Sequence, residues 1–338
     1  MMAGRAVISI RPGLLLVLGL FALILLCVLS LTIDKSFIPL SKVLQAIFQP
    51  NLSDIDHVLV NTTRLSRTAV AVVVGASLAV AGGLMQALTR NPVASPGLFG
   101  INAGAVFFIV LLVPFIGTES ITSVMQLAFA GAAAAGALVL SIGMMRNQHF
   151  SPLRLVLAGI AVTALLTSLT QIVLIVDQDG LDNILFWIAG SVAGRRVEDV
   201  RMVAPYLAVV FTASLVLARH INILVAGEIV ARALGQNTLV IRVLTGIIVI
   251  VLAGVAVALA GNVAFIGLLA PHLTRSLLPS DFRWLLPGYA IVGALLLLAS
   301  DMLARSLLNP QEVPLGVVTA CLGAPFFIYL VRRGMRNG

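Results

Sequence analysis

The chain is a succession of long apolar runs separated by short polar breaks. Most runs approach the roughly 20 residues that an α-helix needs to cross a bilayer. Proline, glycine and charge punctuate them at Asn91-Pro92 with Ser95-Pro96-Gly97, at Pro114, at Ser151-Pro152, at Gly261-Asn262, at Asp281 with Arg283, and at Asn309-Pro310 with Pro314. The pattern predicts ten spans, roughly 13–33, 64–88, 97–114, 120–145, 153–175, 202–219, 239–260, 262–278, 285–305 and 314–331. The runs are continuous rather than alternating, which disfavours a transmembrane barrel. The expected fold is an all-α membrane protein of about ten transmembrane helices, with residues 1–338 forming a single domain.

One stretch between spans has a different character. Gly227 to Gly235 reads G-E-I-V-A-R-A-L-G and is too short to cross a bilayer. Glu228 and Arg232 lie four residues apart, so they share one helix face and can pair. Ile229, Val230, Ala233 and Leu234 are expected to supply the apolar contacts, with Ala231 and Arg232 between them. Gly235 suits the left-handed conformation that ends a helix. A short capped helix between spans faces water or another protein. The segment around 221–238 is therefore read as the contact surface for a soluble partner. The plainer alternative is an ordinary loop helix, whose ion pair contributes only ~0.3–0.5 kcal/mol.

Composition supports the membrane reading and narrows the chemistry. The chain is 60% hydrophobic and 10% charged, with a mean hydropathy of +1.12. A soluble domain of that balance would expose one large apolar surface. The net charge of +8 is first a topology signal and does not imply nucleic acid. With the N-terminus inside, inner segments hold thirteen of the 21 Lys and Arg and outer segments eight, so both termini are expected in the cytoplasm. The run from Leu14 to Leu31 is too long for a signal-peptide core and is read as a retained span. Cys27 and Cys321 fall inside spans and suggest neither a disulfide nor a metal site.

The acids are placed informatively. Glu119, Asp177, Asp179, Asp182 and Glu312 map to outer loops, and only Asp301 lies within a span, near its outer end. Ion-coupled transporters place ionisable groups near the midplane. Their absence there points to another energy source. The chain carries no G-x-x-x-x-G-K-[ST] loop and no H-E-x-x-H motif, so it presents no nucleotide site or catalytic centre of its own. Small residues at four-residue spacing, Gly75, Ala79 and Gly83 on one span and Gly254 and Ala258 on another, predict close helix packing. Gln86, Asn102, Thr163, Thr167 and Gln171 are polar residues within spans, either interhelical hydrogen-bond formers or the lining of a path. Thr163, Thr167 and Gln171 recur at i, i+4, i+8 and share one face. His272, beside Pro271, is expected to be structural.

Several stretches together resemble one family. They are R-L-S-R at 64–67, the block from Gly75 to Ala105 containing Q-A-L-T-R-N-P-V-A-S-P-G, F-W-I-A-G-S from 186, G-E-I-V-A-R-A-L-G from 227, V-A-F-I-G-L-L-A-P-H-L-T-R from 263, L-A-S-D-M-L-A-R from 298 and E-V-P-L-G-V-V-T-A from 312. The chain resembles the permease subunits of bacterial ABC importers for ferric siderophores and vitamin B12, the FecCD-type family, over nearly its whole length. Ser66 and Ser300 depart mildly from the common pattern.

The resemblance implies a type II ABC importer permease in the inner (plasma) membrane, paired with a second permease chain, identical or related. It implies two copies of a cytoplasmic ABC ATPase that carry the ATP and Mg, with no cofactor on this chain. Gly227, Glu228, Ala231, Arg232, Leu234 and Gly235 would form the coupling helix that docks into that ATPase. A periplasmic or surface binding protein would deliver the cargo, a ferric siderophore, meeting Arg64, Arg67 and Arg305. Snorkelling at helix ends is the plainer reading of those arginines. The turn at Ser151 and Pro152 would lie at the cytoplasmic gate. Cobalamin or haem import by the same architecture, an ion-coupled secondary transporter, and a membrane scaffold without transport are the alternatives.

Overall fold

A computed structural model describes residues 11–34, 36–116, 121–144, 151–176, 189–308 and 311–336. Glu119, Asp177, Asp179, Asp182, Asn309, Pro310 and the first three residues of F-W-I-A-G-S lie outside the described residues. The described chain is almost wholly helical, with one isolated bridge between Ile33 and Phe37. Its helices are α1 (Pro12–Thr32), α2 (Leu40–Phe48), α3 (Ile55–Leu59), α4 (Leu65–Thr89), α5 (Ile101–Ile116), α6 (Ile121–Met144), α7 (Pro152–Val176), α8 (Val197–Ala226), α9 (Glu228–Ala233), α10 (Thr238–Ala260), α11 (Ile266–Leu277), α12 (Phe282–Leu307) and α13 (Leu315–Arg336).

A helix occupies each of the ten predicted spans, but the spans are unequal. Among the described residues, seven helical stretches are long and apolar enough to cross a bilayer. The α11 helix has 12 residues, about 18 Å at 1.5 Å per residue, and is too short to cross a bilayer core of about 30 Å. The predicted span 262–278 therefore contains a half-span preceded by non-helical chain. The span predicted from 97 instead begins with a 3₁₀ turn, Pro96–Phe99, before α5. Between α1 and α4 the polar segment folds into α2, α3 and a π-helical turn, Val60–Arg64, that runs directly into α4.

The helices divide by burial. In their most apolar windows α4 and α10 are 78% buried, whereas α1 and α8 are 17% buried, which puts the first pair at the centre and the second at the periphery. Small residues let α4 reach its neighbours. A Cβ on Gly75 would strike the backbone of Gly293, and one on Gly83 would strike the Tyr289 ring. The predicted stripe thus packs α4 on α12 at backbone contact distance. Gly82 meets Gly267 of α11 in the same way.

Helix breaks inside a membrane protein leave backbone groups that need partners. Here the breaks serve one another. Ser191 N–H donates to Ala260 O (2.9 Å), Gly316 N–H to Gly190 O (3.4 Å), and the Arg195 guanidinium to Leu259 O (2.7 Å).

Candidate functional site

The α9 helix sits at one end of the bundle. Arg90, just past the end of α4, donates to Leu224 O near the end of α8 (2.9 Å), so α4 and α8 finish at the same level. Gly227 then turns the chain with a φ of 137°, a value that glycine accommodates and other residues do not. Six residues of helix follow. They end where Gly235, at φ 74°, and Gln236 return N–H bonds to Arg232 O and Ala231 O (both 2.9 Å).

Glu228 makes the predicted pair with Arg232 (2.6 Å) and a second with Arg242 of α10 (3.0 Å). The Arg242 side chain is only 6% exposed, so this second contact ties α9 to the bundle. Burial pushes the Glu228 carboxyl upward, but Arg242 and Arg232 outweigh it and hold the group below its ordinary value. Ala231 is fully buried beneath the helix, while Ile229, Val230, Ala233 and Leu234 face away from the bundle. They form an exposed apolar face above an ion-paired base.

The opposite end, where α1 finishes and α4 begins, holds the other predicted arginines. Arg64, Arg67 and Arg305 are buried, at 0%, 7% and 4% exposure. Arg64 donates to Leu31 O (2.8 Å), Thr32 O (3.0 Å) and Ser36 O (2.6 Å), capping the carbonyl end of α1. Asp301 lies between two guanidiniums, Arg67 at 3.0 Å and Arg305 at 2.9 Å. Arg67 also holds Glu312 (2.8 Å), and Arg305 reaches Asp34 (3.3 Å) and Ser30 Oγ (2.8 Å). Among the described residues, three arginines and three carboxylates thus join α1, α4, α12 and the segment before α13. The snorkelling expectation fails here: these side chains turn inward.

The polar residues predicted for the path do not converge. Asn102 at the start of α5 bonds Asn262 in the break before α11 (2.6 Å). Thr163 packs beside Gly100, whereas Thr167 and Gln171 lie exposed on α7. Ser151 accepts the N–H of Leu155 at its carbonyl (3.1 Å) and Pro152 opens α7, the positions expected of a helix start. Gln86 is buried within α4 and faces a cavity at the α9 end. His272 stacks edge-on with Phe326 at 5.4 Å. Among the described residues no cluster of His, Cys, Asp and Glu could hold a metal.

Arg242, Asp34, Glu312, Ser30 and Asn262 take part in these sites without having been singled out from the sequence as partners. Each meets its partner from another segment: Arg242 from α10, Ser30 and Asp34 from the end of α1 and just past it, Asn262 from the break before α11 and Glu312 from the segment before α13. Glu312 alone had a local signal, its place in E-V-P-L-G.

The pattern of the FecCD transport family matches residues 22–333. The chain is 46% identical over 281 residues to the "Probable siderophore transport system permease protein YfiZ" of Bacillus subtilis (strain 168), covering 83% of this chain and 84% of that protein. It is 39% identical to the "Ferric enterobactin transport system permease protein FepD" of Escherichia coli (strain K12), across 97% of this chain and 96% of that one. The fold matches a solved inward-facing conformation of a metal-chelate type ABC transporter with a TM-score of 0.83 and 28% identity, over 95% of this chain and 99% of that chain. An almost wholly helical bundle with seven membrane-long helices among the described residues, a short connecting helix at one end and a nearly full-length family match lead to one conclusion: the chain belongs to the FecCD transport family and is a multi-pass membrane permease.

Proposed function

We propose that this permease passes ferric siderophores across the bacterial inner membrane, driven by ATP hydrolysis on two copies of a separate ABC ATPase that carry the ATP and Mg. The observation that supports this most is α9, where exposed Ile229, Val230, Ala233 and Leu234 stand over a base anchored through Glu228 to Arg242. A helix of six residues gains little by exposing that much apolar surface unless a partner covers it. On this reading the α9 end and both chain termini are cytoplasmic, which agrees with the bias of Lys and Arg. The cargo class follows from relatives named for siderophore and ferric enterobactin transport.

A second permease chain, identical or related, completes the path, and α7 is the face offered to it. Thr167 and Gln171 lie exposed there among Leu165, Ile172 and Ile175. A binding protein docks at the opposite end. Its acidic residues cannot meet free guanidiniums, because Asp34, Asp301 and Glu312 already occupy Arg64, Arg67 and Arg305. Docking therefore proceeds by exchange with Glu312, whose side chain is 31% exposed and the most accessible of the three carboxylates.

The test is uptake of radiolabelled ferric siderophore into proteoliposomes holding the permease, its partner chain, the ATPase and the binding protein. Uptake that requires both internal ATP and the binding protein is expected. Uptake of cobalamin or haem with no ferric chelate would change the cargo. Uptake driven by a proton gradient without ATP would overturn the proposal.

A further inference from the structure

A cavity of about 330 Å³ opens at the α9 end between α4, α11 and α12. Gln86, Arg90, Arg275, Ser280, Phe282 and Leu285 line it. Its polar content is unusual in two respects. The Gln86 side chain is 3% exposed, and among the described residues neither its amide nitrogen nor its amide oxygen has a hydrogen-bond partner. An unmatched buried amide is destabilising, so it calls for a ligand or a reason.

The second feature is charge. Two guanidiniums face the same space, and no carboxylate of the described residues lies within ion-pair distance of either. Arg275 is held by the Tyr289 hydroxyl (2.9 Å) and lies 5.8 Å from the centre of that ring. Arg90 is held by Leu224 O and has a left-handed backbone, φ 52°, where a helix end normally has glycine. A non-glycine residue kept there signals a role for its side chain. Asp281 lies next to the lining but is engaged elsewhere: the backbone N–H of Arg283 and the amide of Asn222 bond its carboxylate and hold its pKa below the ordinary value.

We propose that this cavity binds a phosphate-type anion, with Arg90 and Arg275 as charged donors and the Gln86 amide as the neutral one. Guanidiniums match tetrahedral oxyanions through paired N–H donors. Two sources carry that chemistry: the headgroup of an anionic phospholipid, whose glycerol would rest on Ala87, Val225 and Leu285, and free phosphate. The site is independent of the transport reading, because it draws only on the fold.

The purified full-length permease, stripped of lipid, is titrated with dihexanoyl phosphatidylglycerol, inorganic phosphate and dihexanoylglycerol, and occupancy is read by native mass spectrometry. One phosphatidylglycerol or one phosphate per chain is expected, with dihexanoylglycerol failing to bind. Tighter binding of the lipid assigns the headgroup as source, and equal binding assigns the free anion. Arg90→Gly should weaken binding about tenfold, the scale of one lost charge-assisted hydrogen bond. Glycine suits the left-handed backbone there, so this variant should fold, and Gln86→Leu gives a second reading one helical turn earlier on α4. Unchanged binding in both variants, or dihexanoylglycerol binding as tightly as the phosphate probes, overturns the proposal. Binding of neither probe, with Arg90→Gly instead weakening ATPase attachment, assigns the cavity to a protein contact and also overturns it.

Discussion

Arginine–carboxylate pairs occur at both ends of this bundle, and they do different work. At the end where α1 meets α4, Arg67, Arg305 and Asp301 are all under 10% exposed. At the α9 end, Arg232 is 51% exposed at its side chain and Glu228 31%. Desolvation sets the difference. A buried pair gives up hydration on both sides and must be fully matched, so it fixes the positions of the helices that supply it. An exposed pair contributes little to folding and leaves its helix available for contact. The first end is a scaffold, and the second is a presented surface.

The largest effect should come from removing the shared carboxylate of the scaffold. Asp301→Ala leaves two buried guanidiniums facing each other and should cost about 3–5 kcal/mol, read as a fall in melting temperature of the purified permease. Replacing Asp301, Arg67 and Arg305 together by Leu and Met should recover much of that loss, since well-packed apolar groups can replace a buried network. A mild effect from Asp301→Ala would erase the contrast between the two ends. For the same reason Arg64→Glu is a poor probe of docking, because it buries a carboxylate against three backbone carbonyls. Glu312→Gln is the sharper variant: it keeps the shape, leaves Arg67 on Asp301, and should speed or tighten capture of the binding protein, measured by association rate.

At the α9 end the effects on folding shrink. Arg242→Ala should cost about 1 kcal/mol, because it loosens the tie between α9 and α10. Arg232→Ala should cost about 0.3–0.5 kcal/mol or less. Both are read from thermal melts, and equal losses would mean that the buried arginine is not the anchor. Acidification tests the same tie. The Glu228 pKa is depressed in the fold, so its contribution is complete above the ordinary value of 4.5 and is lost as pH falls through the lower folded value. ATPase attachment should therefore hold at pH 5 and above, whereas Glu228→Gln, which carries no charge at any pH, should attach more weakly throughout; equal attachment of the two proteins would mean that the carboxylate is idle.

The apolar helices were legible because hydrophobic run length and proline–glycine breaks act locally, although only seven of the described ones are long enough to cross a bilayer. The Gly75, Ala79, Gly83 stripe was legible for the same reason, and it packs as expected. Glu228 with Arg232 was legible at four-residue spacing. What sequence could not give was anything requiring two distant segments: Arg242 completing the Glu228 pair, Asp34 and Glu312 closing on the arginines, and Asn262 meeting Asn102. The half-length of α11 was hidden too, because its apolar run continues through the non-helical residues before it. Interfacial position alone made Arg64, Arg67 and Arg305 look like surface groups. Their burial depends on carboxylates supplied by α12, by the residues after α1 and by the segment before α13.

The most direct measurement is ATPase attachment to the Glu228→Arg permease, made beside its melting temperature. Like charges at 228, 232 and 242 should release α9 from its base while leaving the distant scaffold intact. Co-purification of the ATPase should fall at least about tenfold, a loss of 1.4 kcal/mol or more, while permease yield holds and stability, read from the melting temperature, drops by no more than the roughly 1–2 kcal/mol that the two lost Glu228 pairs contribute. Full attachment at unchanged yield would contradict it, and so would a collapse of the fold as severe as that from Asp301→Ala.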